Sequence, residues 1–181
     1  MTKLLLIGAG KAHLSVLPLL QKKKFKDVEI AMIAEEKNTA DVSTLCEKAN
    51  VTFIEDKIIS FDPLQKMLLS FSGEIYRFDV ISFDIEMKVS LFKQALVPVD
   101  GQGLMVVEDT LQNTAFPFLF GAGNCVTIAR QPNFAVGSEV QGEVLCKNIQ
   151  SYLSGRPLKP LGSQNKKPSF IGEWIRRLYK K

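Results

Sequence analysis

The sequence of 181 residues is 46% apolar and 23% charged, with a formal net charge of +4. These values are those of one packed globular domain, and they exclude a disordered chain as the default. Three cysteines without a Cys-x-x-Cys pair and a single histidine exclude a redox dithiol, a zinc site and any site built from several imidazoles of one chain.

The first third of the chain alternates apolar runs with helical segments. Residues 4–7 are a continuous apolar run, which predicts a buried parallel strand over 3–7. Gly8 and Gly10 break the run, and a helix is predicted after them, with Pro18 as a point where it kinks or ends early. This helix covers 12–21, and it is followed by a strand over 27–33, a short helix over 42–49 and a strand over 51–54.

The middle of the chain predicts a three-stranded β-meander, because short apolar runs alternate with the turn signals Asp62-Pro63 and Ser72-Gly73. Its strands are expected over 58–61, 67–71 and 75–78. Further strands over 80–83, 104–107 and 118–120 and a helix over 135–153 follow, while 84–100 has no regular pattern. This order predicts an α/β fold, in which a Rossmann-like parallel sheet carries helices and the three-stranded β-meander.

The segment KLLLIGAGKAHL at 3–14 places a glycine-rich turn between the first strand and the first helix. In a dinucleotide-binding turn, a glycine such as Gly8 permits the tight bend, and a glycine such as Gly10 lets the backbone approach a pyrophosphate. Backbone N–H groups and the helix dipole then stabilise the phosphate charge. The strand before the turn and the helix after it favour a nucleotide site over a turn without a ligand.

Four further side chains are candidates for the same site, each with an alternative. An acid at the end of the second strand is expected to bind a ribose hydroxyl, and Glu35, followed by Glu36, is the candidate, unless these carboxylates are only solvated loop residues. His13, at the third glycine position, is either an acid or phosphate contact or a residue packed at the helix start. Cys125 is either a reactive thiol or, since it has no partner cysteine, a buried structural residue.

Several segments together resemble a known family. The turn GAGKAHL at 8–14 is similar to that of the NADH dehydrogenase-like flavoproteins of the pyridine nucleotide-disulfide oxidoreductase superfamily. NVTFIEDKIISFDP at 50–63 and YRFDVISFDI at 76–85 resemble the family's third strand with the start of its meander and its return strand. GLMVVEDTLQNTAFPFLFGAGNC at 103–125 and PNFAVGSEVQGEVLCKNIQSYLSGRPL at 132–158 resemble the second flavin motif and the helix after it. The segments occur in the family's order and cover most of residues 3–158.

The resemblance implies the FAD-binding domain of a two-dinucleotide-domain flavoprotein. The residues that would line the FAD pyrophosphate are Gly8, Gly10, Lys11, Ala12 and His13. Those that would contact the adenosine are Glu35, at the ribose, and the backbone of Lys57 or Ile58, at the adenine. Those that would contact the rest of the cofactor are Gly123 at a phosphate, Asn124 at the ribityl chain, and Ala135 and Val136 at the pyrimidine edge of the flavin. The resemblance identifies no catalytic residue, and no metal is expected.

The sequence also departs from the family. Asn124 stands where the family has Asp, Val140 where it often has Arg, and Ala135 where it often has Gly. Between Ile85 and Leu96, where the family would insert its nicotinamide-binding domain, only a short connection is present, and no second Gly-x-Gly-x-x-Gly occurs in the sequence. If FAD binds, another electron donor must reduce it.

The expected layout is an FAD-binding Rossmann-type domain over 1–158, a linker over 159–169 and a basic amphipathic helix over 170–181. Residues 151–181 carry eight Lys and Arg against one Glu, so the positive charge belongs to the tail and not to a nucleic-acid-binding face. The tail fits a weak membrane-surface helix, or a helix docked on its own domain or on a second subunit, and its shortness favours docking. No membrane span or secretion signal is visible, so a cytoplasmic protein, at most peripheral to a membrane, is expected.

Two functions follow from these observations. The first is an FAD-binding flavoprotein, a truncated relative of NADH dehydrogenases and disulfide oxidoreductases with a role in electron transfer, and the two glycine motifs favour it. Its exposed flavin would be covered in a homodimer or served by a separate reductase chain. The second is a non-catalytic Rossmann-fold remnant that binds a partner or an adenine nucleotide without FAD, and Asn124 and the absent segments favour it.

Overall fold

The computed structural model describes residues 1–22, 25–35, 39–86, 90–129 and 136–163. In chain order its strands and α-helices are β1 (Thr2–Ile7), α1 (Lys11–Lys22), β2 (Val28–Ala34), α2 (Thr39–Lys48), β3 (Thr52–Glu55), β4 (Ile58–Asp62), β5 (Met67–Ser70), β6 (Ile75–Arg77), β7 (Val80–Phe83), α3 (Ser90–Gln94), β8 (Met105–Val107), β9 (Leu119–Gly121), β10 (Val126–Ile128) and α4 (Ser138–Leu153).

The central sheet has five parallel strands in the order β3-β2-β1-β7-β9. β1 and β7 are buried on both faces of this sheet, which is why their sequences are mainly apolar and do not alternate with polar residues. β4, β5 and β6 form a separate antiparallel meander, and β8 pairs with β10 in parallel. The predicted Rossmann-like parallel sheet and the three-stranded meander are therefore both confirmed.

Successive residues of β7 show how the sheet is covered. The ring of Phe83 contacts Phe61 of the meander at a centroid distance of 5.2 Å and Phe92 of α3 at 5.1 Å. The preceding residue, Ser82, faces the opposite side and contacts α1 through His13. The meander and α3 thus cover one face of the sheet, and α1 covers the other.

Helices α1 and α4 pack against each other at a position where α4 carries a glycine. A Cβ on Gly142 would overlap the backbone carbonyl oxygen of Ala12. The absence of a side chain at Gly142 therefore allows the two helices to approach closely, which holds the start of α1 in place beside the sheet.

The structure differs from the sequence-based prediction in several elements. α1 continues through Pro18 to Lys22, because buried neighbours such as Val16 and Leu20 hold the helix against the core and outweigh the local cost of proline. The short helix α3 and the strand β10 were not predicted. Residue 135, the expected start of the last helix, and residues 164–181, which include the tail helix, lie outside the described residues. Among the described helices, none is long and apolar enough to cross a membrane.

Candidate functional site

The five parallel strands of the central sheet end at the same edge, and the residues that follow four of them are candidates for the site. β1 is followed by Gly8, β2 by Glu35, β7 by Asp84, and β9 by Ala122 and Gly123. β1 has β2 on one side and β7 on the other, so the direction of strand order reverses at β1. In open α/β sheets, ligands bind in the crevice outside the carboxyl ends of the strands at such a switch point.

The glycine turn after β1 is packed tightly against two other strand ends. Gly8 has a φ of +91°, a conformation that favours glycine, and its N–H donates to the carbonyl of Ile33 over 2.8 Å. A Cβ at Gly8 would overlap the backbone carbonyl oxygen of Asp84. The same carbonyl accepts the N–H of Gly10 over 3.3 Å. The bend predicted at Gly8 is therefore present, and it joins the ends of β1, β2 and β7.

The side chain of Asp84 occupies the N-terminus of α1. Its Oδ2 accepts the backbone N–H of His13, the third residue of the helix, over 3.0 Å, and the residue is only 5% exposed. A Cβ on Gly10 or on Gly123 would overlap this carboxylate, so the two glycines form walls on either side of it. A negative charge is favourable at a helix N-terminus. The chain thus places its own anion where a dinucleotide-binding turn would hold a phosphate.

The side chain of His13 lies beneath the turn and is fully buried. Its Nδ1 donates to the carbonyl of Gly8 over 2.8 Å, and its Nε2 lies 2.9 Å from the Ser82 hydroxyl. Because a carbonyl only accepts, Nδ1 carries the proton, and the hydroxyl donates to Nε2 of the neutral ring. Burial lowers the pKa of His13, opposed by the Asp84 charge and the Gly8 hydrogen bond. The His13 side chain is therefore packed at the helix start, which is one of the two roles expected for it.

The second glycine motif, after β9, is bonded to the segment that leads into α4. Gly123 has a φ of +71°, and its N–H donates to Oε1 of Gln141 over 2.8 Å. Nε2 of Gln141 donates in turn to the carbonyl of Val136 over 2.8 Å. The amide of Gln141 thus bridges Gly123 and Val136, two residues expected to contact the cofactor. Asn124, beside Gly123, is exposed.

The thiol of Cys125 is buried behind this motif. Its Sγ lies 3.3 Å from the carbonyl oxygen of Ala122 and 3.5 Å from that of Phe83. Burial, followed by the charge of Asp84, raises the pKa of Cys125 to about 12. The thiol therefore stays protonated and lacks the nucleophilicity of a thiolate, as expected for a structural cysteine.

Two residues assigned to the adenosine are brought together at the ends of β2 and β3. The carboxylate of Glu35 lies 3.0 Å from Nζ of Lys57, and these side chains are 53% and 40% exposed. The backbone of Lys57, expected at the adenine, is engaged within the protein, because its N–H donates to Asp56 over 2.7 Å and its carbonyl accepts the N–H of Phe71 over 2.8 Å. The Glu35 carboxylate is therefore an accessible polar group at this end of the site.

The remaining predicted residues fall into three groups. Lys11 is exposed at the first turn of α1, and Ala12 is buried beside it. Ile58 is half-buried at the start of β4. Glu36 and Ala135 lie outside the described residues.

Sequence reasoning missed Asp84 and Gln141. Asp84 carried a usable signal, because it follows a strand predicted to be parallel to the first one, and the carboxyl ends of adjacent parallel strands meet at one edge. Gln141 carried no such signal, because its role depends on the reach of a side chain from the first turn of a helix. Within the described residues, no three His, Cys, Asp or Glu side chains are grouped as metal ligands would be.

Comparisons with known proteins support the fold. A scan against protein-family models finds no match, and a search of curated proteins finds none. The sulfide:quinone oxidoreductase of Aquifex aeolicus matches with a TM-score of 0.65 and 10% identity over 87% of this chain and 78% of that chain. A pyridine nucleotide-disulfide family oxidoreductase of Enterococcus faecalis V583 matches with a TM-score of 0.65 and 10% identity over 84% of this chain and 69% of that chain. The NADH:rubredoxin oxidoreductase of Clostridium acetobutylicum matches with a TM-score of 0.59 and 13% identity over 93% of this chain and 78% of that chain. The chain therefore has the Rossmann-type fold of the pyridine nucleotide-disulfide oxidoreductases.

The FAD pyrophosphate does not fit the turn as the structure has it. The N–H groups of His13 and Gly123, which such a turn would offer to phosphates, are bonded to Asp84 and Gln141. Two like charges about 4 Å apart repel by roughly 4 kcal/mol at an effective dielectric constant near 20. A phosphate at this helix end would face the Asp84 carboxylate, whereas the exposed Glu35 carboxylate fits a ribose.

Proposed function

We propose that this chain is a non-catalytic nucleoside-binding domain that holds the adenosine group of a ligand at the carboxyl ends of β2 and β3 and does not retain FAD. The observation that carries the proposal is the difference in burial between two carboxylates that follow β2 and β7, the strands on either side of β1. Glu35 is exposed and able to accept hydrogen bonds from a ligand, while Asp84 is buried at the N-terminus of α1.

The environment of Glu35 supports its role as the ribose-binding residue. Its carboxylate has two acceptor oxygens, as the two hydroxyl groups of a ribose require, and bonds to a charged acceptor are stronger than neutral ones. The Lys57 ammonium at 3.0 Å restricts the position of the carboxylate. The hydrogen bond from Gly8 to Ile33 holds the end of β2 beside the glycine turn, so a ribose at Glu35 would lie next to that turn.

The same observations argue against redox chemistry. In a dinucleotide-binding turn the pyrophosphate lies at the helix N-terminus, and the described turn supplies a carboxylate there. The neighbouring thiol of Cys125 is buried and protonated, so it offers no alternative redox group. The domain is therefore proposed to act by binding, and its fold provides the strand-end crevice for the ligand.

The test uses the full chain, purified without added nucleotide. We expect no flavin absorption in the visible spectrum, and adenosine binding in isothermal titration calorimetry. Glu35→Gln is expected to weaken adenosine binding by about 10- to 100-fold, because a hydrogen bond to a charged group contributes roughly 1.5–3 kcal/mol. Glu29→Gln is the matched control, since Glu29 is exposed on the same strand at its opposite end, and it should bind adenosine like the wild type. Absence of adenosine binding, or equal binding by Glu35→Gln, would refute the proposal.

An FAD-binding electron-transfer protein is the second candidate. The convergence of Gly8, Gly10 and Gly123 at one sheet edge favours it, since dinucleotide-binding turns need such close backbone approach. Flavin bands retained after FAD addition and desalting, near one flavin per chain, would replace the first proposal with this one. The search would then turn to a separate reductase chain or a homodimer, and the size of the protein in solution would distinguish them.

A further inference from the structure

We propose that Asp84 is the specificity-determining residue of this site, and that it selects adenine nucleosides whose 5′ substituent is neutral or cationic against those that carry phosphate. The inference rests on the proposed function and names the class of ligand. A dinucleotide-binding turn attracts anions through free N–H groups and the helix dipole. Here a buried carboxylate reverses the charge that a ligand meets at the same place.

The Asp84 carboxylate is fixed in the turn, so a ligand that enters the turn lies close to its charge. Gly10 and Gly123 enclose it on two sides, closely enough that a Cβ on either would overlap it. The N–H of His13 fixes one of its oxygens at 3.0 Å, and the Asp84 backbone carbonyl is held by Gly10. The residue is 5% exposed, so little solvent separates it from a group at the start of α1. Its side chain is therefore part of the wall of the turn.

Within the part of the chain that the structure describes, no cationic side chain forms an ion pair with the carboxylate. Burial lowers the pKa of the His13 imidazole, which disfavours a positive charge on that ring. The groups shown in contact with it are the two glycines and the His13 amide, which carry only partial charges. An incoming phosphate would therefore be repelled by the carboxylate at close range, whereas an ammonium group would be attracted to it.

The substitution Asp84→Asn isolates the charge. Asparagine has nearly the same shape and keeps a side-chain oxygen that accepts the His13 N–H, so the turn retains its geometry. Asp79→Asn is the matched control: Asp79 precedes the same strand, β7, at its amino end, and its carboxylate accepts the Lys3 N–H over 2.7 Å. It removes an equal charge from the opposite edge of the sheet. Asp84→Ala provides a second variant in case Asp84→Asn does not fold, as judged by far-UV circular dichroism.

The first probe is inorganic pyrophosphate, titrated calorimetrically into the wild type and the variants. We expect Asp84→Asn or Asp84→Ala to bind it at least tenfold more tightly than the wild type, and Asp79→Asn to behave as the wild type. Equal pyrophosphate affinity in wild type and Asp84 variants, including no binding to any of them, would overturn the inference.

The second probe compares 5′-amino-5′-deoxyadenosine with adenosine 5′-monophosphate. The wild type is expected to prefer the amine by at least tenfold, and the Asp84 variants to lose this preference. A wild type that prefers the monophosphate overturns the inference. If neither nucleoside binds while the variants gain pyrophosphate affinity, the adenosine site is refuted and the role of Asp84 stands.

Discussion

His13 is expected to make the stability of the protein fall as the pH falls below about 6.5. It is the single histidine of the sequence, fully buried between the Gly8 carbonyl and the Ser82 hydroxyl. Burial lowers its pKa in the folded state from the ordinary value of 6.5. Below pH 6.5 the unfolded chain therefore takes up a proton that the folded chain does not, and this proton uptake lowers the free energy of the unfolded state. Above that pH both states are neutral, and the contribution is constant.

The size of the effect follows from one proton. The limiting slope is about 1.4 kcal/mol of unfolding free energy per pH unit. If the buried ring stays neutral to pH 5.5, the free energy of unfolding falls by about 1.3 kcal/mol between pH 7 and pH 5.5. His13→Asn removes the titration and keeps a donor for the Gly8 carbonyl. It is expected to cost about 1–3 kcal/mol at pH 7.5, because the Ser82 hydroxyl loses its buried partner.

The assay is urea unfolding, followed by far-UV circular dichroism, of both proteins at half-unit steps from pH 7.5 to 5.5. The difference in unfolding free energy between wild type and His13→Asn removes the contribution of the carboxylates, which both proteins share, and leaves that of the histidine. Proton NMR of the single imidazole gives its pKa directly. Parallel pH profiles for the two proteins, or an imidazole pKa at or above 6.5, would show that the ring is not held neutral by burial.

Three further predictions concern other parts of the structure. Gly142→Ala should lower the unfolding free energy by about 1–3 kcal/mol in urea denaturation, because its Cβ would overlap the Ala12 carbonyl, and an unchanged midpoint would contradict this packing. The pKa of Asp56 is lowered to about 2, first by the Ser72 hydroxyl, so its contribution to stability is present above pH 4 and lost as the pH falls from about 4 to 2. Ser72→Ala should raise that pKa in an NMR titration, and an unshifted carboxyl resonance would rule out the hydroxyl as the cause. Cys125 should resist iodoacetamide at pH 8 in the native protein and react in urea, as read by mass spectrometry of the labelled peptide, whereas fast native labelling would refute its burial.

Much of the fold was predictable because the burial of a strand determines the pattern of its sequence. A strand covered on both faces has a mainly apolar sequence without alternation, and residues 4–7 and 80–83 show it, with Ser82 as the one polar residue. The elements that were missed, α3 and β10, have five and three residues. Segments of that length are too short to show a period, and they form because the surrounding core fixes them.

The site was predictable where its geometry is local. Gly8 and Gly123 lie in turns whose shape depends on a few adjacent residues, and both adopt the positive φ that explains the glycine. Asp84 contacts α1 through His13, which lies 71 positions earlier in the chain. Only the pairing of β1 with β7 in the sheet brings these two residues together. The likeness to known flavoproteins identified the segment that contains Asp84, but it indicated a phosphate at the place that this side chain takes.

One residue of α1, His13, holds the glycine turn from two sides, through its side chain and through its backbone. Below the turn, the His13 side chain bonds the Gly8 carbonyl; above it, the His13 amide bonds Asp84, whose backbone accepts Gly10. Each bond restricts the same few backbone atoms, so a ligand cannot enlarge the turn without breaking several of them together. A turn that cannot change shape discriminates by charge, and the charge it presents is that of one carboxylate. The carboxylate also stabilises the helix by roughly 0.3–1 kcal/mol through the dipole. Asp84→Asn is therefore expected to exchange a small loss of stability for a large change in ligand preference, which separates a specificity role from a purely structural one.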